Sequence, residues 1–335
     1  MRPTPLAALV LPSLLVLISA CARAEAPKAP EGPRLVLPID CKIGSTCEVQ
    51  TYVDHDPGRG AEDYRCGERT NDGHDGVDFR VPDLAAQAAG VAVLAAADGT
   101  VARLRDGVAD VSVNSPGAPM SAGQECGNGI VIDHGGGWET QYCHLARGSV
   151  AVKQGQAVRA GQPIARVGLS GNTEYPHLHM SVRRDGVMVD PFAPDPYGEG
   201  CKPQPGLWTK AAAAQLAYKA GQVLNTGFTT GPVDMAGLEA GGLAKADAQA
   251  PALVAYVRAI GLEAGDVQAL SLKAPSGEEL AVSRLPPLDR AKAQYMMFVG
   301  KKRPAAGWAS GAYVATYTVL RDGEVAITRS WRLGL

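Results

Sequence analysis

Aromatic residues are scarce in this 335-residue chain, Phe, Trp and Tyr together making up 5% of it. So few π-faces argue against a base-stacking surface or an aromatic sugar platform. Charge of one sign is missing too: 32 Lys and Arg stand against 34 Asp and Glu, a formal net charge of −2, so no broad basic field attracts nucleic acid. Cys-x-x-Cys is absent, which argues against a cysteine zinc site. The apolar run from Leu6 to Ile18 is too short for a comfortable membrane span. Histidine is limited to six residues, and residues 235–335 hold neither histidine nor cysteine.

What the chain does have begins with that apolar run, which follows Arg2 and reads as an export signal over residues 1–20. Its end, Leu17-Ile18-Ser19-Ala20-Cys21, resembles the lipobox of bacterial lipoproteins, which implies lipidation at Cys21 and membrane anchoring. Ala22-Arg23-Ala24 also fits an ordinary small-x-small cleavage site, leaving a soluble exported protein as the alternative. Residues 21–34, with Pro27, Pro30 and Pro33, suit an extended tether. Apart from Cys21 six cysteines remain, an even number that suits an oxidising compartment. Cys41 and Cys47 form the best local pair because Lys42–Thr46 can turn. Cys126 with Cys143 would bridge two arms of a hairpin, and Cys66 with Cys201 would tie together the ends of a domain.

The length suits two folded domains. Residues 35–205 show short apolar runs broken by glycine, the pattern of a mostly antiparallel β-domain. Within it the stretch from Asp106 to Gly127 is long for a hairpin and is expected to line a groove or cover a sheet end. Residues 206–234 read as a partly helical connector. Residues 235–335 read as a small immunoglobulin-like β-sandwich, with Asp322-Gly323 a strong hairpin signal. Without histidine or cysteine, that sandwich suits attachment, spacing or partner binding rather than chemistry.

Three short motifs carry the chemistry. In "PHLHM", His177 and His179 stand two apart in a strand, on one face, where both imidazoles can aim at a single point. In "GHDGVDF", glycines flank His74, and a bend there would bring it back beside Asp78 on the following strand. In "ETQYCHL", strand alternation puts Thr140, Tyr142 and His144 on one face and Gln141 and Cys143 on the other, so that His144 faces a site and Cys143 faces away. Each motif alone has an ordinary explanation as polar strand or loop. His55 and His134 fit loop and hairpin positions with no catalytic role.

Taken in order, "GHDGVDF", "GNGIVIDHGGGWETQYCHL", "GQAVRAGQPIARVGLSGN" and "PHLHM" resemble the LytM/lysostaphin-type zinc metalloendopeptidases, cell-wall enzymes with a groove-shaped antiparallel β core. The resemblance covers most of residues 65–193. It implies His74, Asp78 and His179 as ligands of one zinc ion, and His144 and His177 as the catalytic histidines. Two imidazoles and a carboxylate leave a fourth place for water, whose pKa zinc lowers toward about 7. One departure stands out: family members often carry an acidic residue two places after the second histidine of His-x-His, where this chain has Ser181. The third stretch also resembles lipoyl and biotinyl hairpins, but no lysine sits at a suitable tip. The resemblance implies an exported, periplasmic zinc endopeptidase cutting peptide cross-links of peptidoglycan. The alternatives are a non-enzymatic relative that binds or activates another wall hydrolase, and a hydrolase of some other exported peptide.

Overall fold

The structure is a computed structural model that describes residues 32–116, 123–194 and 205–335. The expected export segment, Cys21, most of the expected tether and Cys201 lie outside the described residues. The chain is mostly β, with antiparallel sheets throughout. Among the described residues no helix is long and apolar enough to cross a membrane.

The first body is built from β1 (Glu48–Thr51), β2 (Val77–Arg80), α1 (Leu84–Ala88), β3 (Ala92–Leu94), β4 (Gly99–Arg105), β5 (Asn128–Gly135), β6 (Trp138–Leu145), β7 (Ala157–Val158), β8 (Pro163–Arg166), β9 (His177–Arg184) and β10 (Val187–Val189). Its main sheet runs β1-β2-β9-β6-β5-β4-β7, with β10 beside β9, and β3 pairs with β8 in a small second sheet. Alternation assigns the faces. On β9, Leu178, Met180 and Val182 are fully buried in the core, and Val77 and Phe79 of β2 join them. Each such side chain contributes about 1.5–3 kcal/mol by leaving water. The opposite face then has to carry His177, His179 and Ser181 of β9 and Asp78 and Arg80 of β2, because the side-chain period is two.

Two expected disulfides are present, Cys41–Cys47 and Cys126–Cys143. Cys66 is disulfide-bonded as well.

The second body holds a three-stranded sheet, β11 (Gln222–Thr229), β12 (Ala252–Leu262) and β15 (Lys292–Lys302), ordered β11-β12-β15. Its other sheet runs β14-β13-β16-β17, from β13 (Val267–Lys273), β14 (Glu279–Arg284), β16 (Ala312–Arg321) and β17 (Glu324–Gly334). The two sheets share one core, including Leu253, Val257, Leu270, Leu272, Tyr317 and Ile327. β11 falls inside the stretch read from sequence as a connector; helices α2 (Lys210–Gln215) and α3 (Met235–Ala240) flank it. α2 packs Ala212 into the first core, while α3 carries Glu239 to the boundary between the bodies.

That boundary is ionic and buried. Arg80, fully buried, donates from Nη2 to Glu239 Oε2 at 2.8 Å and from Nη1 to Gln50 Oε1 at 3.1 Å. Arg258 of β12, also fully buried, donates to the same Glu239 oxygen and to the Pro82 carbonyl. Gln50 Nε2 in turn donates to the Ala293 carbonyl on β15 at 3.1 Å.

Glu48 on β1 yields a prediction about stability. Its side chain is buried, and burial pushes its pKa up from 4.5 to about 7 against the opposing pull of Lys219 and Arg69. A folded-state pKa above the unfolded one means that the folded protein holds the extra proton. Stability from Glu48 is therefore full below about pH 4.5 and is lost as pH rises through about 7. Glu48→Gln should raise the melting temperature at pH 8 and leave it nearly unchanged at pH 4.5; an equal effect at both pH values in thermal melts would exclude this origin.

Candidate metal centre

The sheet register assembles the site. Asp78 of β2 pairs across to His179 of β9, which pairs in turn to Cys143 of β6, so three strands contribute one row; Arg80 pairs to His177 in the next. The His74 loop closes onto this row. Gly73 takes φ +71°, and the bend expected from sequence brings His74 Nε2 to 3.2 Å from Asp78 Oδ2. A Cβ on Gly76 would stand 2.6 Å from two atoms of the His179 ring, so only glycine lets this loop lie against it.

Asp78 is the meeting point. Besides His74, its Oδ1 lies 2.9 Å from His179 Nδ1 and 3.4 Å from His177 Nε2. Burial raises its pKa, but the charges of His74 and His177 and the hydrogen bonds of His177 and His179 outweigh that and hold it well below the usual carboxylate range. The same carboxylate lifts its partners. Burial lowers His74, yet Asp78 leaves it raised; burial lowers His179, yet Asp75 and Asp78 bring it to about 9.

His144 reaches the site by a route that alternation does not foresee. The groove is lined by Gln141, Cys143 and His144 together, whereas Thr140 and Tyr142 point into the core, where the Tyr142 hydroxyl accepts from Ala96 N at 2.7 Å. The expected grouping of His144 with Thr140 and Tyr142 is thus corrected, and Cys143 does not face away. The cause is local. His144 adopts φ +58°, and the β5–β6 register shifts between Asn128 and Ile130, so the bulge turns His144 onto the face of Cys143. Its ring centroid lies 4.6 Å from that of His177. Burial, followed by the neighbouring His177 and His179, holds His144 well below the ordinary histidine pKa.

Backbone carbonyls fix three of the rings. His74 Nδ1 lies 2.7 Å from the Tyr52 carbonyl, His144 Nδ1 2.8 Å from that of Ser170, and His177 Nδ1 3.0 Å from that of Tyr175. A carbonyl can only accept, so each Nδ1 carries a proton and each Nε2 is left to face the groove, donating there when it too is protonated and offering a lone pair when it is not. His179 is reversed. Its Nδ1 faces Asp78, and its Nε2 faces Ser181 Oγ at 3.0 Å and Asp75 Oδ1 at 3.2 Å.

Ligand atoms from His74, Asp78 and His179 all lie within 4.8 Å of one another. Two imidazoles, which give up a proton on binding, and a carboxylate, pre-aimed by their hydrogen bonds, fit a zinc-type ion with a position left open. The open side faces a groove of about 810 Å³, whose lining includes Val113 and Glu125 from the long loop. Ala293 and Gln294 of the second body line it as well, which the sequence did not reveal. Tyr175, Asp75 and Arg80 were also missed; only Asp75, adjacent to His74, carried a positional hint.

His55 and His134 stand apart from this cluster. His55 Nε2 bonds Asp190 Oδ2 at 2.7 Å, and His134 spans the Asp98 carbonyl and Thr140 Oγ1 at 2.7 and 2.8 Å near the β5–β6 turn.

Comparison with known proteins gives a match of residues 72–191 to the family model described as peptidase family M23. The peptidoglycan DD-endopeptidase ShyA of Vibrio cholerae is 38% identical over 120 residues, 35% of this chain and 22% of that protein. The murein hydrolase activator EnvC of Escherichia coli is 44% identical over 62 residues, 18% of this chain and 14% of that protein. A solved zinc-containing peptidase from Vibrio cholerae is similar at 29% identity and TM-score 0.28, covering 42% of this chain and 38% of the other. The chain spans about a fifth of the length of the curated relatives it matches.

The packing of Gly76 is directly testable. Gly76→Ala should displace the His179 ring and lower zinc affinity at least tenfold, with the fold retained by circular dichroism. Unchanged affinity would mean that the loop shifts freely and does not set the ring's position.

Proposed function

We propose that this chain, whose residues 72–191 match the peptidase family M23 model, is an exported zinc metalloendopeptidase that hydrolyses peptide cross-links of bacterial peptidoglycan. The observation that carries this reading is the pairing of a three-ligand site with two further histidines whose Nε2 atoms point into the same open groove.

His74, Asp78 and His179 would hold the ion, through Nε2, a carboxylate oxygen and Nδ1 respectively. When bound there, zinc supplies Lewis acidity toward a carbonyl and acidifies its water. His144, its Nδ1 proton anchored on Ser170, offers the Nε2 lone pair to take a proton from the attacking water. His177, anchored on Tyr175 and with Thr173 Oγ1 at 3.1 Å from Nδ1, stands beside it to donate toward the oxyanion or the leaving amine. The Cys126–Cys143 bridge secures the turn next to His144. An open groove of this size, walled by loop and strand, accommodates an extended and branched peptide.

The export segment and Cys21 favour a lipid-anchored periplasmic protein. In such an envelope the wall peptide is cross-linked directly, so the bond between D-alanine and diaminopimelate is the expected target. One relative supports a second reading, since EnvC is named as an activator. Retention of all five site residues speaks for catalysis.

The expected behaviour separates the roles. His179→Ala and Asp78→Ala should each lose the zinc found by elemental analysis, because two protein ligands remain. His144→Ala and His177→Ala should retain zinc and lose roughly two to four orders of magnitude in turnover. Zinc-loaded protein should convert purified dimeric muropeptides to monomers, followed by liquid chromatography, and a chelator should abolish the conversion. Intact dimers with bound zinc, together with stimulation of a separate wall hydrolase, would establish the activator reading instead.

A further inference from the structure

We infer that Asp75 is the positioning residue that makes His179 a metal ligand, in the place where β9 itself offers only the serine hydroxyl of Ser181. This rests on the metal site proposed above. Of the four clustered histidines, three have Nδ1 anchored on a backbone carbonyl and present Nε2 to the groove. His179 is the exception: Nδ1 is its nitrogen on the Asp78 side, 2.9 Å from Oδ1, so to give that lone pair to an ion held together with Asp78 the ring must carry its proton on Nε2. Two groups face that nitrogen, Ser181 Oγ at 3.0 Å and Asp75 Oδ1 at 3.2 Å.

These two are not equivalent. A hydroxyl donates as readily as it accepts, so Ser181 is compatible with either tautomer. An ionised carboxylate only accepts, so Asp75 selects the tautomer with Nε2–H and frees the Nδ1 lone pair for the metal. It also makes the imidazole a better donor toward the ion, as carboxylate partners of metal-bound histidines do.

The carboxylate is itself held. Its Oδ2 lies 3.5 Å from Arg183 Nη2, and Arg183 Nη1 donates to Gln141 Oε1 at 2.6 Å, so β9 and β6 together hold the loop residue against the ring. Gly76 allows the approach, since any Cβ there would meet the His179 ring.

Full-length oxidised protein, titrated with zinc in competition with a chromophoric chelator, tests this without reference to activity. Asp75→Ala should weaken zinc binding by about 10- to 100-fold, the usual reach of such outer partners. Ser181→Ala should change it by less than about threefold, because the carboxylate remains to set the tautomer. The double variant Asp75→Ala/Ser181→Asp, which moves the carboxylate onto the strand, should recover most of the lost affinity. A purely structural role for Asp75 would not be rescued in this way. Asp75→Ala with wild-type affinity, or a double variant no better than Asp75→Ala alone, overturns the assignment. Failure of the wild-type chain to bind zinc would instead remove the metal site, and the inference with it.

Discussion

The carboxylate of Asp78 is the constraint on which the rest of the site depends. It is 5% exposed, and an ion so far from water costs several kcal/mol unless its neighbours compensate. Those neighbours are imidazole nitrogens of His74, His177 and His179, at 2.9 to 3.4 Å. Each in turn can face the carboxylate only because its other nitrogen is bonded elsewhere. The Tyr52 and Tyr175 carbonyls and the Asp75 carboxylate serve that purpose, and they come from three separate loops. Sheet register, loop bends and tautomers thus converge on one buried charge. A metal ion at this point would take over a role that hydrogen bonds fill here, so the site is shaped before any ion arrives.

How much of this could be read from the sequence depended on whether a single period governed it. Residues 177–182 alternate His, Leu, His, Met, Ser, Val, and a strict alternation against an apolar core leaves the histidines one possible face. The same holds for Asp78 between Val77 and Phe79. The glycines around His74 likewise announced a bend. The grouping of His144 with Thr140 and Tyr142 failed because one residue in left-handed conformation and a register shift invert the faces at the end of β6, and alternation carries no sign of either. Asp75, although it stands next to His74, was missed for a different reason. Its contact with His179 spans about a hundred residues and depends on what Ser181 lacks, which becomes clear only once the tautomers are assigned. The antiparallel β character followed from short apolar runs and turns; the start of the second body did not, because β11 looks like connector until it pairs with β12.

The second body has a structural consequence for the groove beyond adding a domain. Arg80 lies two residues beyond Asp78 on the same strand face, and its guanidinium sits 3.8 Å from the ring centroid of Tyr175, the residue whose carbonyl anchors His177. Glu239 of α3 bonds both Arg80 and Arg258. Burial and the nearby Arg258 lower the Arg80 pKa to about 10, which still leaves it charged near neutral pH. Glu239 thus joins a buried cation of the first body to one of its own, and Arg258 reaches back across to the Pro82 carbonyl. Ala293 and Gln294 of β15 form one wall of the groove, and the Gln50 side chain ties that wall to β2 by bonding both Arg80 and the Ala293 carbonyl. A domain with no histidine or cysteine can thus shape what enters the groove without touching the chemistry, and the strand that carries the central carboxylate also carries the residue that holds the wall in place.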